Sequence, residues 1–252
     1  MQTEALTRDE LKRFSLVLDQ PKDGYRFTLD PLLLCDFSAA ADERAIADLG
    51  SGSGVMALVL ARMAPAARVT ALEKEPAMAT LAEGNVRLND LGERVHVLRE
   101  DVLHLRRHLP VSCMDLVVSN PPYRKPGRGR LNPHPGKLAA RHETSAGLAD
   151  FLAAAKYLVK PSGRICFVYH PARLPEFMAV ATQLKLTVRR LRLVHGTPEA
   201  PAKVFLAELT KGGRVAETTV LPPLVVRTDG QNYTDEVRTL LLGSREPTVA
   251  QT

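Results

Sequence analysis

Four consecutive residues, Asn120, Pro121, Pro122 and Tyr123, carry the most specific chemistry in this sequence. They follow an apolar run, residues 114–119, that is typical of a buried strand. The two prolines prevent the chain from continuing as a strand or starting a helix at once, so it must leave the sheet as a stiff turn. Such a turn presents the Asn120 side-chain oxygen and a proline carbonyl as neighbouring acceptors, with the Tyr123 ring beside them. This arrangement suits a planar amino or amide nitrogen that is to attack an electrophilic methyl group, although Asn-Pro is also an ordinary turn signal.

A second candidate ligand-binding motif, the glycine-rich segment at residues 48–54, lies upstream of this turn. Its sequence is Asp-Leu-Gly-Ser-Gly-Ser-Gly, and it lies between a predicted strand and a predicted helix. Glycines at a strand-to-helix turn let the backbone approach a ligand closely, and the helix N-terminus favours negative charge. Residues 52–57 also fit the G-x-G-x-x-A fingerprint of dinucleotide-binding folds, so the glycines alone do not identify the ligand.

Two acidic residues that follow later strands narrow the choice of ligand. Glu73 ends the apolar run 68–72, about twenty residues after the glycine loop, where a carboxylate can bind ribose hydroxyls. Asp101 follows the strand-like run 94–99 and is placed to accept a hydrogen bond from an adenine amine, although it is also a typical helix N-cap. A dinucleotide interpretation gives residues 120–123 no role. The combination therefore favours S-adenosylmethionine as the cofactor.

A basic segment begins immediately after the turn. Residues 124–142 contain no acidic residue and several glycines and prolines, which is typical of a long loop. Its basic residues are Arg124, Lys125, Arg128, Arg130, Lys137 and Arg141. A polyanion such as RNA could be held there beside the chemistry, through its phosphates. Without the neighbouring turn, a solvated basic loop would be the better interpretation.

The composition is that of an α/β enzyme. The chain has 252 residues, of which 45% are hydrophobic, and a formal net charge of +6. This length supports one large domain with little left for a second. No apolar run approaches the roughly 20 residues that span a bilayer, and the N-terminus lacks a signal-peptide core. The three cysteines are widely separated, and the histidines show no ligand spacing, so we expect reduced thiols, no metal and a cytoplasmic location.

Apolar strands alternate with helical stretches, which predicts a doubly wound, mostly parallel sheet. The predicted strands are residues 45–47, 68–72, 94–99, 114–119, 164–169, 187–194 and 203–209. The predicted helices are residues 55–61, 76–88, a stretch after residue 101, 146–159 and 174–184. We expect the helix at 146–159 to be stopped by the Pro-Ser-Gly sequence at 161–163.

At this level of detail the chain resembles a known bacterial family, which methylates N6 of an adenine beside the anticodon of valine tRNA. This tRNA1(Val) family belongs to the Asn-Pro-Pro-Tyr class of S-adenosylmethionine-dependent methyltransferases. The resemblance rests on the glycine loop, Glu73, Asp101 and the turn, and on pieces at residues 24–34, 129–133, 140–143 and 222–226. It covers roughly residues 14–242, nearly the whole chain.

The resemblance implies a Rossmann-like class I methyltransferase sheet with an antiparallel final strand and a short N-terminal extension. It divides the chain into residues 1–43, which cover the cofactor site, a methyltransferase domain at 44–212, and a C-terminal extension at 213–252 packed on the same domain. The reaction implied is methyl transfer to adenine N6 in RNA, and the partner is a tRNA. Two alternatives stay open: a protein glutamine N-methyltransferase using the same turn on a side-chain amide, and a non-catalytic RNA-binding module.

The resemblance also assigns roles to residues. The catalytic group comprises Asn120, Pro121 and Tyr123. The cofactor-binding group comprises Phe27, Thr28, Asp48, Gly50, Ser51, Gly52, Glu73, Asp101, Val102 and Asn120. The substrate-binding group comprises Arg124, Lys125, Arg128, Arg130 and Arg141.

Overall fold

A computed structural model describes residues 6–22, 28–122, 146–212 and 217–243. Its strands are Leu6–Leu11 (β1), Leu16–Pro21 (β2), Ala45–Leu49 (β3), Arg68–Leu72 (β4), Val95–Leu98 (β5), Met114–Ser119 (β6), Val159–Tyr169 (β7), Leu186–His195 (β8), Ala202–Lys211 (β9), Thr219–Val220 (β10) and Leu224–Val225 (β11). Its α-helices are Asp30–Ser38 (α1), Val55–Met63 (α2), Pro76–Leu88 (α3), Leu148–Leu158 (α4), Leu174–Gln183 (α5) and Asp235–Leu242 (α6).

One large sheet organises the molecule, with the strand order β5-β4-β3-β6-β7-β9-β8. Strands β5, β4, β3, β6 and β7 are parallel to one another, whereas β9 runs antiparallel to both β7 and β8. The short strands β10 and β11 pair with the outer side of β8. The predicted Rossmann-like sheet with its antiparallel late strand is confirmed. Chain order reverses between β3 and β6, and ligands of open α/β sheets bind at the carboxyl ends of strands at such a point.

The helices bury both faces of this sheet. Residues 55–61 of α2 are all buried, in a core that includes α1 and one face of the sheet. On the other face, α4 and α5 cover a second core in which Phe177 packs 6.0 Å from Phe167 and 5.2 Å from Phe205, measured between ring centroids. Aromatic pairs at these distances add to the stability gained from burial. Within the described ranges, no helix is both long and apolar enough to cross a membrane.

The β1–β2 hairpin forms a separate two-stranded sheet that is attached through α3. Asn85 exchanges two hydrogen bonds with the backbone of Asp19, at 2.8 and 3.0 Å, and Asn89 does the same with Val17, at 2.8 and 2.7 Å. The two amides are four residues apart, so they lie on one face of the helix. Both therefore reach β2 and form hydrogen bonds with its backbone. Asn85 also donates to the Ser53 carbonyl at 2.9 Å, which connects the hairpin to the glycine loop.

The helix predicted at 146–159 is Leu148–Leu158, so it ends before the Pro-Ser-Gly sequence at 161–163, as predicted. The following strand begins earlier than predicted, because β7 starts at Val159 in place of residue 164 and runs through the Pro-Ser-Gly sequence. The pairing of β6 with β7 shifts register between Met114 and Leu116, as at a β-bulge. A Cβ atom on Gly163 would lie only 2.6 Å from the Asp115 carbonyl oxygen, so the glycine permits a close backbone approach. The helix predicted after Asp101 is a 3-10 helix over residues 102–107.

Candidate active site

A cavity of about 450 Å³ opens at the carboxyl ends of β3, β4, β5 and β6. Most predicted site residues with described positions line it: Thr28, Gly50, Gly52, Glu73, Asp101, Val102, Asn120 and Pro121. They are contributed by segments that lie far apart in the sequence. The parallel sheet brings them together because the connections between its strands all return to the same edge.

The glycine loop adopts a conformation that other residues resist. Gly50, Gly52 and Gly54 have φ values of +74°, +56° and +85°. The amides of Gly50 and Ser51 donate to the Leu72 carbonyl at 2.8 and 3.0 Å, which ties the loop to the end of β4. A Cβ atom on Gly50 would lie 3.2 Å from Cε1 of Phe151. The loop therefore needs glycine both for its backbone geometry and for the space beside Phe151.

Glu73 is held by the backbone of its own site. Its Oε2 accepts a hydrogen bond from the Gly52 amide at 2.8 Å, and its Oε1 accepts one from the Glu75 amide at 2.8 Å. An ionised carboxylate has about four acceptor positions, so two amides leave capacity for further donors such as ribose hydroxyls. The same bonds fix the carboxylate against the glycine loop, and the site is therefore ordered before a ligand binds.

Asp48 is a buried carboxyl group without a hydrogen-bond partner among the described residues. Its side chain is completely buried at the end of β3, and neither oxygen makes a hydrogen bond of normal geometry, as is also true of the Ser51 hydroxyl. The pKa of Asp48 is raised to about 8, chiefly by burial; the Ala57 amide lowers it and the Glu73 charge raises it. Leaving such groups unpaired is costly, which indicates that a ligand completes the site.

These orphaned groups fit the methionine end of S-adenosylmethionine. That end carries an ammonium group, which supplies both hydrogen-bond donors and the positive charge that a buried carboxylate needs. Ser51 also lines a small adjoining cavity of about 30 Å³, which Gly50, Gly52 and Asn120 share with the larger one. Asp48 lines neither cavity, so of these two residues only Ser51 borders the space between the glycine loop and the Asn120 turn.

Asp101 and Val102 form the wall opposite the glycine loop. Asp101 caps the 3-10 helix, since its Oδ1 accepts from the Leu103 amide at 3.0 Å. Its Oδ2 lies 3.4 Å from Nζ of Lys74, on the neighbouring strand end. The alternative role as an N-cap is thus confirmed, and the proposed contact with an adenine amine stays compatible with it. Val102 supplies a buried apolar surface on the same wall.

Asn120 lies directly after β6, where the preceding Ser119 hydroxyl donates to the Leu49 carbonyl at 2.8 Å and fixes the strand end against β3. Pro121 is buried and Pro122 is exposed, and both line the large cavity with Asn120. The turn therefore faces the cofactor residues across one shared space. An acceptor oxygen at this position can polarise an amine that enters from the open side.

Several predicted residues lie outside the described ranges, and their roles stay predictions. They are Phe27, Tyr123, Arg124, Lys125, Arg128, Arg130 and Arg141. The sequence interpretation also missed cavity-lining residues: Asp30, Lys74, Met78, Glu100, Ala146 and Phe151. Phe151 and Met78 belong to helices whose apolar positions are indistinguishable in sequence from core positions. Lys74 and Glu100 offered a weak signal, since each adjoins a predicted acidic site residue.

Comparisons with known proteins identify related methyltransferases. The methyltransferase small domain family matches residues 30–197. The chain is 30% identical to a Porphyromonas gingivalis protein named tRNA1(Val) (adenine(37)-N6)-methyltransferase, over 78% of each chain. It is 31% identical to a protein of the same name from Yersinia pseudotuberculosis, over 82% of this chain and 80% of the relative.

A solved structure shows the same likeness in three dimensions. It is a protein from Agrobacterium tumefaciens described as a predicted O-methyltransferase, with a TM-score of 0.68, 27% identity, and coverage of 85% of this chain and 96% of the other. Sequence and structure thus point to one group of enzymes. The chain belongs to the methyltransferase small domain family and, by its similarity to curated relatives, to the bacterial tRNA1(Val) adenine-N6 methyltransferase family.

Proposed function

We propose that this chain transfers a methyl group from S-adenosylmethionine to the exocyclic N6 of an adenine in tRNA, near the anticodon. The observation that carries the proposal is the shared cavity, which Asn120 and Pro121 line together with Glu73 and Asp101. A site with cofactor residues on one side and amine acceptors on the other fits methylation of a planar nitrogen. The curated relatives named above are adenine-N6 methyltransferases of tRNA.

Each end of the cofactor has a residue set of matching chemistry. Asp48 and Ser51 would bind the methionine end, Glu73 the ribose hydroxyls, and Asp101 with Val102 the adenine. Phe27 and Thr28 would close over the methionine end. When bound, S-adenosylmethionine supplies the electrophilic methyl group. The remaining task of the protein is to present the acceptor nitrogen in line with that methyl.

The Asn120 turn would perform this task. The target adenine must leave its stack and enter the cavity, as for other enzymes that act on a base. The Asn120 side-chain oxygen and the Pro121 carbonyl would accept hydrogen bonds from the adenine amine, and Tyr123 would stack on the ring. The two acceptors localise the nitrogen lone pair toward the methyl group. Positioning and polarisation supply most of the acceleration, so no strong base is needed before transfer.

The basic residues after the Asn120 turn would bind the RNA. Arg124, Lys125, Arg128, Arg130 and Arg141 would contact phosphates that flank the inserted adenine. The segments 1–43 and 213–252 would act as extensions of a methyltransferase domain at 44–212, the first covering the cofactor site. An enzyme that modifies tRNA would work in the cytoplasm.

A methylation assay with isotope-labelled cofactor tests the proposal. Wild-type protein should label adenine N6 in unmodified tRNA, and should not label a glutamine-containing peptide. Asn120→Ala should remove most transfer while cofactor affinity stays within about tenfold, because it removes one acceptor on the substrate side only. Near-normal turnover by Asn120→Ala would refute the mechanism, and labelling of glutamine in place of adenine would refute the substrate.

A further inference from the structure

A second groove lies beside the active-site cavity. It has a volume of about 590 Å³ and shares Thr28 and Asp30 with the cavity, so the two are separated by a single wall. The groove is lined by the ends of β8 and β9 with their connection, by the segment after β11, and by residues at the start of α1. We call it the terminal groove. The proposed mechanism gives it no role.

Three basic side chains from three elements converge on the terminal groove: His195 at the end of β8, Lys203 in β9 and Arg227 after β11. Among the described residues, none of them forms an ion pair with an acidic group. Two arginines earlier in β8 differ in this respect, because Arg190 pairs with Glu208 and Arg192 with Glu236. The terminal groove therefore contains two cations without an ion pair, Lys203 and Arg227, together with the Asp30 carboxyl group near its border with the active-site cavity.

Asp229, an acidic residue close to Arg227 in sequence, does not cancel this charge through an ion pair. Its Oδ1 accepts from the amides of Gln231 and Asn232, at 3.0 and 2.7 Å, and its Oδ2 accepts from the Asn232 side chain at 2.8 Å. These hydrogen bonds lower the pKa of Asp229 to about 2 and hold the carboxylate within its own turn.

The backbone around the three basic residues is fixed in place. The Val226 amide donates to the His195 carbonyl at 2.8 Å, and the Arg227 amide donates to the Gly196 carbonyl at 3.0 Å. The Arg227 guanidinium lies 4.3 Å from the ring centroid of Tyr233. The Lys203 side chain packs against Gly196, since a Cβ atom added to Gly196 would lie 3.1 Å from Cε of Lys203. A fixed arrangement loses little conformational entropy when it binds an anion.

We infer that the terminal groove binds the phosphate backbone of the tRNA next to the adenine that enters the active-site cavity. This inference rests on the proposed function. The His195 Nδ1 lies 2.8 Å from the Ala200 carbonyl oxygen and the Arg227 guanidinium donates to the Gln231 carbonyl, but neither contact neutralises a charge. Basic side chains that converge without ion pairs are the usual receptors for nucleic-acid phosphates, which fix register without reading sequence. Because the groove adjoins the cavity at Thr28 and Asp30, a strand held there would pass beside the inserted nucleotide. The tRNA would thus be held by the C-terminal part of the chain as well as by the segment after the Asn120 turn.

The test uses Lys203→Gln, Arg227→Gln and the double variant, with Lys185→Gln as the matched control. Lys185 is an exposed lysine that immediately precedes β8, whereas His195 is the last residue of that strand. The control therefore lies at the other end of β8 from the groove. Affinity for tRNA is measured across a salt series, with KM and kcat for methylation. The double variant should bind tRNA about three- to tenfold more weakly, and its slope of log affinity against log salt should shrink by about 0.7 per lost phosphate contact. KM for tRNA should rise, while kcat stays within about twofold and S-adenosylmethionine affinity is unchanged.

Lys203→Glu adds a variant whose folding is not in question, because this side chain is exposed. It should weaken tRNA binding more than Lys203→Gln does. If wild type methylates tRNA but all groove variants match Lys185→Gln in affinity and salt slope, the terminal groove is not a phosphate site and the proposed function stands. If wild type neither binds nor methylates tRNA, the proposed function itself fails.

Discussion

Cofactor binding should be coupled to ionisation of Asp48. In the free protein burial raises the pKa of this carboxyl to about 8, and neither of its oxygens has a hydrogen-bond partner among the described residues. Only about one protein molecule in ten then carries the charged form at pH 7, and about one in a hundred at pH 6. A ligand ammonium placed against Asp48 needs the charged form. Affinity for S-adenosylmethionine should therefore rise about tenfold from pH 6 to pH 7.

The amino group of the ligand sets the upper limit of the pH range in which the cofactor binds tightly. An α-amino group has an ordinary pKa of about 8, so a ligand that must be protonated binds less well above that pH. The affinity should peak near pH 8. Calorimetry in two buffers of different ionisation enthalpy measures the protons released, and we expect nearly one proton per cofactor bound at pH 6–7. Asp48→Asn should lose affinity and lose the pH dependence between pH 6 and pH 7.

A matched ligand separates this effect from a general effect of pH. Methylthioadenosine retains the adenosine and thioether but lacks the amino acid part, so its affinity should stay constant between pH 6 and pH 7. Equal affinities for S-adenosylmethionine at pH 6 and pH 7, without proton release, would refute the assignment of Asp48 to the ammonium. A dependence of the same size for methylthioadenosine would place the titrating group elsewhere.

The raised pKa of Asp48 also predicts how stability depends on pH. Folding raises this pKa from 3.8 to about 8, so the native state binds the proton more strongly than the unfolded chain does. The stabilising contribution is complete below pH 3.8 and is lost as the pH rises through 8, with a slope of about 1.4 kcal/mol per pH unit at most. Cofactor-free wild type should lose stability between pH 6 and pH 8 in urea titrations, and Asp48→Asn should lose less. Parallel curves for the two proteins would contradict the shift.

Three further sets of variants test separate parts of the protein. Gly50→Ala should destabilise the fold by about 1–2 kcal/mol in denaturant titrations and weaken cofactor binding, because residue 50 has a positive φ and its Cβ atom would contact Phe151. The control is Gly84→Ala in α3, whose Cβ atom would meet no atom within 4 Å, and it should be neutral or stabilising. Tyr123→Ala should raise KM for tRNA in steady-state assays while Tyr123→Phe stays mild, because stacking needs only the ring; equal defects would implicate the hydroxyl. A last variant replaces with alanine the four basic residues nearest the turn, Arg124, Lys125, Arg128 and Arg130. It should weaken tRNA binding and flatten its salt dependence with cofactor affinity intact, and an unchanged salt slope would mean that the segment is only solvated surface.

The regular elements could be predicted where local sequence and tertiary structure agree. Residues 68–72 and 114–119 are mostly apolar runs with a turn signal after them, and both are strands with those bounds. The helix at 76–88 begins with a proline at its first position, where proline is favoured. By contrast, Gly163 resembles a turn signal in the sequence but lies within β7. A glycine is needed there because the β6 backbone approaches it closely, and that approach is visible only in the folded structure.

The candidate site shows the same division. Glu73, Asp101 and Asn120 could be found because polar residues directly after buried strands are conspicuous, and a parallel sheet brings such positions to one edge. Phe151 and the Asn85–Asn89 pair could not, since a phenylalanine on an apolar helix face and two amides within a helix carry no chemical signal by themselves. Their roles arise only when α4 packs beside Gly50 and α3 packs beside β2.

The most direct test of the central claim is mass spectrometry of nucleosides from purified tRNA of cells that lack this protein, before and after its return. The account predicts that N6-methyladenosine in valine tRNA disappears without the protein, returns with wild type, and does not return with Asn120→Ala expressed at the same level. Unchanged N6-methyladenosine in the cells without the protein, or full recovery with Asn120→Ala, would contradict it.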